Sequence, residues 1–231
     1  MLSTAVVGRT LLVGAMGRLR AVLAVGVLAT LLSCGEQAAD RTAAVTLKAA
    51  VERTIEADSF QARLISTDGG EQRVSRFEYE APNRVRIRLR PHGETVWIAG
   101  DAYYAMPREP GRFVLVETGC SDALEAALPA LSIVHDATEV RRKGPIFVFG
   151  SDEGEGITGQ ARLEGGVLAS LLLRYQLPDV NRKVIERYVF SRFGDAISIR
   201  RPDASSIARE VSSDRGAVSV SCGTAAGVEN I

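Results

Sequence analysis

The chain has 231 residues, of which 46% are hydrophobic, 24% charged and 6% aromatic, with 28 basic and 28 acidic side chains. This composition excludes a disordered chain and a polybasic nucleic-acid binder, and the length suits one globular domain with its own core. The only charged residues before Cys34 are three arginines, which leaves 25 basic against 28 acidic residues in the remainder. We therefore expect no electrostatic attraction to nucleic acid or to an anionic membrane surface.

The N-terminal segment has the pattern of an export signal. A basic stretch precedes an uncharged apolar run of 12 residues, Ala21 to Leu32. At about 1.5 Å per residue the run is about 18 Å long, too short for a bilayer core of about 30 Å. We predict a signal peptide over residues 1–33, with Met16 as an alternative start.

The end of this signal is similar to the bacterial lipobox, because Ser33 precedes Cys34 and an aliphatic residue, Leu31, lies three positions before the cysteine. The motif implies that Cys34 is acylated and becomes the first residue of an exported lipoprotein. Acyl chains would anchor it to the outer face of the bacterial cell membrane, in the cell envelope or periplasm, without a spanning helix. An ordinary signal peptide with a chance cysteine is the alternative.

A helix and a series of strands follow a polar tether, residues 34–41. Ala44, Leu47, Val51 and Ile55 recur at helical spacing and predict an amphipathic helix over 42–57. The period then changes to two, most clearly in Arg84 to Arg90 (RVRIRLR), where aliphatic and basic side chains alternate. Strands are predicted over 61–67, 72–80, 84–90, 94–99, 102–106, 112–117, 145–150, 157–163, 166–176, 183–193 and 196–200.

A helical insert interrupts the strands once, at Ser121 to Leu131 (SDALEAALPAL), and Pro129 should kink or restart it. The regular turns between the strands predict an antiparallel meander, and the two helical segments are the available cover for its apolar face. We therefore predict an α+β fold over 42–201. The tail, 202–231, is predicted to be partly disordered, with a short strand at 217–221.

The two remaining cysteines, Cys120 and Cys222, are predicted to form one disulfide, because an exported chain enters an oxidising compartment. A metal or redox site is disfavoured, because there is no CxxC motif and neither His92 nor His135 lies at a ligand spacing from a cysteine. We predict no metal and no cofactor.

Two segments resemble the LolA-like superfamily of lipoprotein carriers and lipid-binding lipoproteins. Phe77 to Arg86 (FEYEAPNRVR) is followed by Glu94 to Tyr104 (ETVWIAGDAYY), a tyrosine, proline and basic strand and then Trp, Gly-Asp and Tyr. The resemblance implies a large curved antiparallel sheet, a half-barrel, whose concave face is covered by the N-terminal helix and the mid-chain helical insert around an apolar cavity for acyl chains. A lipidated chain departs from the freely diffusing carrier and suits an anchored, LppX-like or LprG-like role.

Alternation along the strands gives the side chains that would face such a cavity. An acyl chain needs apolar area and no polar motif, so these residues could equally pack against the helices as a closed core. The predicted cavity residues are Phe77, Tyr79, Val85, Ile87, Leu89, Trp97, Phe147, Phe149, Leu171 and Leu173.

The common catalytic motifs GxSxG, HExxH and GxxxxGK[ST] are absent from the sequence, and no enzyme is predicted. Two hypotheses remain. The first is a membrane-anchored lipoprotein that binds a lipid or an acylated molecule for carriage or transfer across the cell envelope. The second is an envelope sensor or protein-interaction module of the same fold without bound lipid, in which the sheet edge or the arginine face of 84–90 binds an envelope protein.

Overall fold

The computed structural model describes residues 40–89, 93–118, 120–151, 156–177 and 182–212. The chain divides into two compact units, Met1–Thr42 and Ala43–Ile231, and nearly all of the described residues belong to the second. Its main element is an open sheet of twelve strands in the order β12-β6-β5-β4-β3-β2-β1-β11-β10-β9-β8-β7. The strands are β1 Ser59–Asp68, β2 Glu71–Glu80, β3 Arg84–Leu89, β4 Glu94–Ile98, β5 Asp101–Ala105, β6 Phe113–Glu117, β7 Glu139–Lys143, β8 Ile146–Ser151, β9 Ile157–Glu164, β10 Val167–Leu177, β11 Arg182–Ser191 and β12 Ile207–Ser212.

Two antiparallel meanders make up this sheet, β1 to β6 and β7 to β11. They join where the first strand of one pairs with the last strand of the other, with Gln61 opposite Ser191 and Asp68 opposite Val184. Tight turns set the register within each meander. In the β1–β2 hairpin Gly69 and Gly70 both have positive φ, at 56° and 93°, which is the backbone of a two-residue type I′ turn.

Three helices cover one face of the sheet, which we call the inner face. They are α1 over 40–55, α2 Ala123–Ala127 and α3 Ala130–His135. The Asp122 side chain caps α2 by accepting hydrogen bonds from the amides of Leu124 and Glu125, at 2.8 and 3.1 Å. Pro129 separates α2 from α3, as predicted from the sequence.

The apolar stripe of the helices and the inner face of the sheet form one core, which contains Leu47 and Val51 of α1 and Leu124 and Leu131 of the insert. The predicted fold class is confirmed: the chain is α+β, and its large open sheet, covered by an N-terminal helix and a mid-chain helical insert, is consistent with a curved half-barrel. This is the architecture that the resemblance to the LolA-like superfamily implies.

A second, smaller core lies on the opposite, outer face of the sheet. There Ile199, fully buried, packs with Val96 and Tyr103. Ile199 lies in the segment 196–200, which was predicted to be a strand. That prediction is wrong, because residues 195–200 form an irregular segment, here called the strap. Side chains take the place of a neighbouring strand, since the Ile199 amide donates to Glu80 Oε2 at 2.6 Å and the Arg84 guanidinium donates to the Ile199 carbonyl at 3.3 Å.

Two strands were not expected from the sequence. β7 presents one buried residue in five, Val140, and so has no apolar alternation to detect. β12 lies beyond residue 201, where the sheet was expected to end, and it pairs with β6 in parallel, whereas every other neighbouring pair is antiparallel. The sheet therefore extends to residue 212.

Candidate functional site

Most of the predicted cavity residues lie together on the inner face of the sheet. Ile87 is partly buried and packs against the same core, whereas Leu89, at the end of β3, is 45% exposed. The other eight are buried members of the core: Phe77, Tyr79, Val85, Trp97, Phe147, Phe149, Leu171 and Leu173.

In the described structure these eight side chains are packed against their neighbours rather than lining an open hollow. Each is at most 6% exposed, and Val85 and Leu173 are fully buried. The ring of Phe149 lies over Gly159, its cross-strand partner, where a Cβ would overlap it. The helices and the sheet side chains fill this part of the inner face.

An open cleft of about 270 Å³ lies between helix α1 and the helical insert. Its apolar wall consists of Ile55 from α1 and three leucines from the insert, of which Leu128 and Leu131 are 1% and 2% exposed. None of the ten predicted residues lines it. The complete lining is Ile55, Asp122, Leu124, Glu125, Leu128, Leu131, Ser132, His135 and Asp136.

The rim of this cleft is polar and mostly acidic. His135 is the last residue of α3. Its Nε2 is 3.6 Å from Glu52 Oε1, and its Nδ1 is 2.6 Å from Asp136 Oδ1. An apolar wall with a few polar groups at its mouth is the usual composition of a small-molecule site.

The helices beside the cleft are held to the sheet by different contacts. For α1, the Arg53 guanidinium donates to the Gly166 carbonyl at 2.8 Å, and the buried Thr54 hydroxyl accepts from the Leu168 amide at 3.0 Å. The start of the insert is held by Asn83, in the turn between β2 and β3, whose side chain donates to the Ser121 carbonyl at 2.5 Å and accepts from the Ala123 amide. Its far end, His135, lies 3.6 Å from Glu52 of α1, and leucines fill the middle of the insert.

A tyrosine cluster lies at another part of the inner face. The Glu186 carboxylate accepts hydrogen bonds from the hydroxyls of Tyr175 and Tyr188, at 3.1 and 2.8 Å. Burial, and then the charge of Glu186, raises the pKa of Tyr188 well above its usual value of 10 and also raises the pKa of Tyr175. Burial alone raises the pKa of Tyr104, elsewhere in the sheet, to about 12.

The arginine face of β3 is largely neutralised by its neighbours. Arg86 lies 3.0 Å from Glu78 and 3.3 Å from Glu94, and Arg88 lies 3.2 Å from Glu78. The strap also covers part of this surface, because Arg86 donates to the Ser198 carbonyl at 3.4 Å. These contacts favour a structural role for the alternating arginines of β3.

Several predicted features lie outside the described residues, namely Cys34, Cys222 and His92. Cys120 is within the described residues and is buried, at 3% exposure. Its pairing with Cys222 stays a prediction, because Cys222 lies outside the described residues. Among the described residues, no group of three or more His, Cys, Asp or Glu side chains is placed to hold a metal ion. Within the same ranges no helix has the length and apolar character needed to cross a bilayer.

The sequence did not reveal the cleft, because the predicted site was taken from strand alternation whereas the cleft is lined by helices. The spacing of Leu124, Leu128 and Leu131, beside acidic and hydroxyl side chains, was the available signal. It predicted a buried helix, and only the position of Ile55 on another helix shows that an opening remains between them.

Comparison with known proteins gives structural likenesses only. No family model matches the chain, and no curated protein matches its sequence. The structure is similar to LprF from Mycobacterium bovis, at 10% sequence identity and a TM-score of 0.41, over 71% of this chain and 98% of that one. It is also similar to a DUF1329 family protein from Desulfovibrio piger, at 10% identity and a TM-score of 0.42, over 72% of this chain and 98% of that one. At this identity neither likeness transfers a function to this chain.

Proposed function

We propose that this protein is an exported lipoprotein, anchored to the membrane through an acylated Cys34, that binds a lipid or an acylated molecule between its helices and the inner face of its sheet. Its role would be carriage or transfer of that ligand across the cell envelope. The lipobox supports the anchor. The observation that supports the ligand site is that the cleft and the apolar inner face share one layer of leucines.

That layer consists of Leu124, Leu128 and Leu131, which line the cleft and also belong to the core that contains the predicted cavity residues. A movement of the insert away from α1 would therefore extend the cleft directly onto the sheet. The helices α2 and α3 have five and six residues, too short to be stable without packing. Apolar contacts hold their middle, and an acyl chain would replace those contacts with others of the same kind.

A fluorescent acyl probe tests this site. Ile55 is half-buried at the cleft, and Ile55→Trp would fill the opening from the α1 side. Val45, on the same helix, is 70% exposed and does not line the cleft, so Val45→Trp is the matched control. We expect the full chain to bind the probe, Ile55→Trp to weaken binding at least tenfold and Val45→Trp to leave it unchanged.

Mass spectrometry of a lipid extract from the purified chain provides an independent measurement. A co-purified lipid that is depleted in Ile55→Trp and retained in Val45→Trp would support the proposal. A chain that carries no lipid and binds no acyl probe would contradict it.

The packed inner face favours a second candidate, an envelope sensor or interaction module of the same fold without bound lipid. Its partner would then contact the surface rather than the core. Capture of one specific envelope protein, equally strong for the wild-type chain and for Ile55→Trp, would favour this candidate.

A further inference from the structure

We propose that the outer face of strands β9, β10, β11, β1 and β2 docks on an anionic lipid bilayer. This surface, which we call the basic patch, is independent of the ligand proposed for the helical cleft. It also changes the expectation from net charge, because the mildly acidic balance of residues 34–231, with 25 basic and 28 acidic side chains, hides a local concentration of arginines.

Cross-strand register defines the basic patch, since directly paired residues project from the same face of an antiparallel sheet. The inner face is identified by its buried members, such as Phe190 opposite Ala62. The residues that alternate with them project outward. Five of these outward side chains are exposed arginines, namely Arg63, Arg76, Arg162, Arg174 and Arg187.

None of the five arginine side chains forms an ion pair or hydrogen bond, as far as the described ranges extend. Arg86 and Arg88, on the adjacent strand β3, are each within 4 Å of both Glu78 and Glu94. One part of the outer face is thus neutralised by its own carboxylates, and the neighbouring part is not.

The arginines also oppose one another. Arg63 is directly paired with Arg76, and Arg76 with Arg88, which places three guanidinium groups in one row across β1, β2 and β3. Like charges at directly opposed positions destabilise a sheet. An external anionic surface would offset this repulsion by attracting all three guanidinium groups.

The carboxylates on the outer face of these five strands lie at its margins. Glu78 contacts Arg86 and Arg88, Glu80 accepts from the strap at Ile199, and Glu164 lies at the β9–β10 turn. The interior of the patch therefore carries a net positive charge. With strands about 4.8 Å apart, five strands spread this charge over about 20 Å.

Aliphatic side chains lie between the arginines. Ile185 and Val189 are 41% and 44% exposed. Arg187 lies between them in sequence and is directly paired with Leu172 on one side and Ile65 on the other. Val74, opposite Ile65, continues the row.

This mixture favours a bilayer over the other polyanions. Lipid-surface binding combines apolar insertion with attraction to anionic headgroups, and long arginine side chains can place their stems against apolar groups while the charge reaches the headgroups. Single-stranded nucleic acid is bound by basic grooves with aromatic stacking platforms, and none of the described outward positions of the patch is aromatic. The patch therefore fits an anionic membrane surface.

Vesicle co-sedimentation of the full chain tests the proposal, with Cys34→Ala in every sample so that an acyl anchor cannot contribute. The vesicles contain phosphatidylcholine alone or phosphatidylcholine with 40% phosphatidylglycerol as an experimental choice. The patch variant combines Arg63→Gln, Arg174→Gln and Arg187→Gln. The control variant combines Lys48→Gln, Arg108→Gln and Arg200→Gln, which removes the same charge from exposed positions outside the patch.

Each basic residue close to an anionic surface strengthens binding about fivefold. We therefore expect the patch variant to bind the anionic vesicles about a hundredfold more weakly, and the control variant to change by less than threefold. Raising the salt concentration should weaken the wild-type interaction, because exposed charges are screened. Ile185→Ser with Val189→Ser should weaken the binding that persists at high salt.

Thermal unfolding of all variants verifies that they fold, and the patch variant should be at least as stable as the control because it relieves the Arg63–Arg76 repulsion. Equal binding of the wild-type chain to neutral and anionic vesicles would overturn the proposal. So would equal loss in the patch and control variants, or strong binding to a single-stranded oligonucleotide together with no binding to vesicles.

Discussion

The hydroxyl of Thr54 joins helix α1 to strand β10: it accepts from the Leu168 amide at 3.0 Å and donates to the Ala50 carbonyl at 2.8 Å. Thr54 is fully buried, and β10 has a register irregularity between Leu168 and Ser170. The hydroxyl thus supplies an acceptor where the strand ladder is interrupted. It fixes α1, one wall of the cleft, to the sheet.

Thr54→Val should destabilise the protein by about 1–3 kcal/mol, because the isosteric side chain leaves the buried Leu168 amide without an acceptor. Thr54→Ser keeps the hydroxyl and loses only a buried methyl group, about 0.8 kcal/mol. Urea unfolding measures both changes. Hydrogen exchange at the Leu168 amide provides the specific readout, and equal protection in the two variants would rule out this role of the hydroxyl.

Gly159→Ala should destabilise the protein by about 1–3 kcal/mol or more, because the new methyl group overlaps the Phe149 ring in a filled core. Gly150 in the adjacent strand is the matched control. A Cβ there would have no neighbour closer than 3.9 Å, and Gly150→Ala should be neutral or slightly stabilising. Denaturant midpoints compare the two variants, and a tolerated Gly159→Ala would mean that space remains beneath Phe149.

Pairing of Cys120 with Cys222 is expected to stabilise the protein by about 4 kcal/mol in the chain-entropy model. The parallel pairing of β12 with β6 supports it, because Ser212 lies opposite Glu117 and the two strands run toward the same end of the sheet. Ten further residues, up to about 3.4 Å each when extended, can reach Cys120. The expected result is that Cys222→Ser lowers stability under oxidising conditions and abolishes the stabilisation by oxidation.

Thiol titration of the unfolded, oxidised chain checks the same pairing. With Cys34→Ala in place, no free thiol is expected before reduction and two after it. Cys222→Ser should expose one thiol. Two free thiols before reduction would contradict the disulfide.

Alkaline pH should destabilise the protein. The pKa values of Tyr175 and Tyr188 are raised in the folded protein, mainly by burial, whereas unfolded tyrosines titrate at about 10. The contribution of these two tyrosines to the free energy of unfolding is fully present below pH 10. It is lost as the pH rises above 10, because the unfolded chain then releases protons that the folded chain retains. Tyr188→Phe should cost about 1 kcal/mol at pH 7 through the lost hydrogen bond and make the alkaline loss shallower.

Unfolding free energies measured from pH 7 to pH 11 test this prediction. Burial raises the pKa of Tyr104 to about 12, with no carboxylate among the causes. Tyr104→Phe therefore provides the comparison for the stability that Tyr188→Phe loses at neutral pH. The same alkaline slope in the wild-type chain and in Tyr188→Phe would exclude Tyr188 as a source of the pH dependence.

The sequence predicted the elements whose burial follows a regular period. In α1, Leu47 and Val51 face the core at helical spacing, and in β3 Val85 is buried between exposed or ion-paired arginines. Segments whose structure depends on contacts with distant residues were predicted wrongly. Ile197 and Ile199 alternate as in a strand, but the backbone of Ile199 bonds to side chains of β2 and β3, a contact between distant residues that no local pattern contains.

The basic patch and the cleft both depend on how distant segments lie beside one another in the fold, and not on the composition of the chain. Arg63, Arg174 and Arg187 are unremarkable in sequence, and the patch exists only because β1, β10 and β11 are neighbours in one register. The cleft likewise needs Ile55 of α1 to lie beside the insert. Both are properties of the assembled sheet and its cover.

The junction between β1 and β11 also determines the order in which the molecule can form. Each meander forms through short hairpins, whereas Gln61 pairs with Ser191, which lies far along the chain. The entropy cost of loop closure is therefore larger for this pairing than for the formation of any hairpin. A high sequence separation of this kind slows folding. The amino-terminal meander therefore keeps an unpaired edge at β1 until almost the whole described chain is present, and that edge is where self-association would begin.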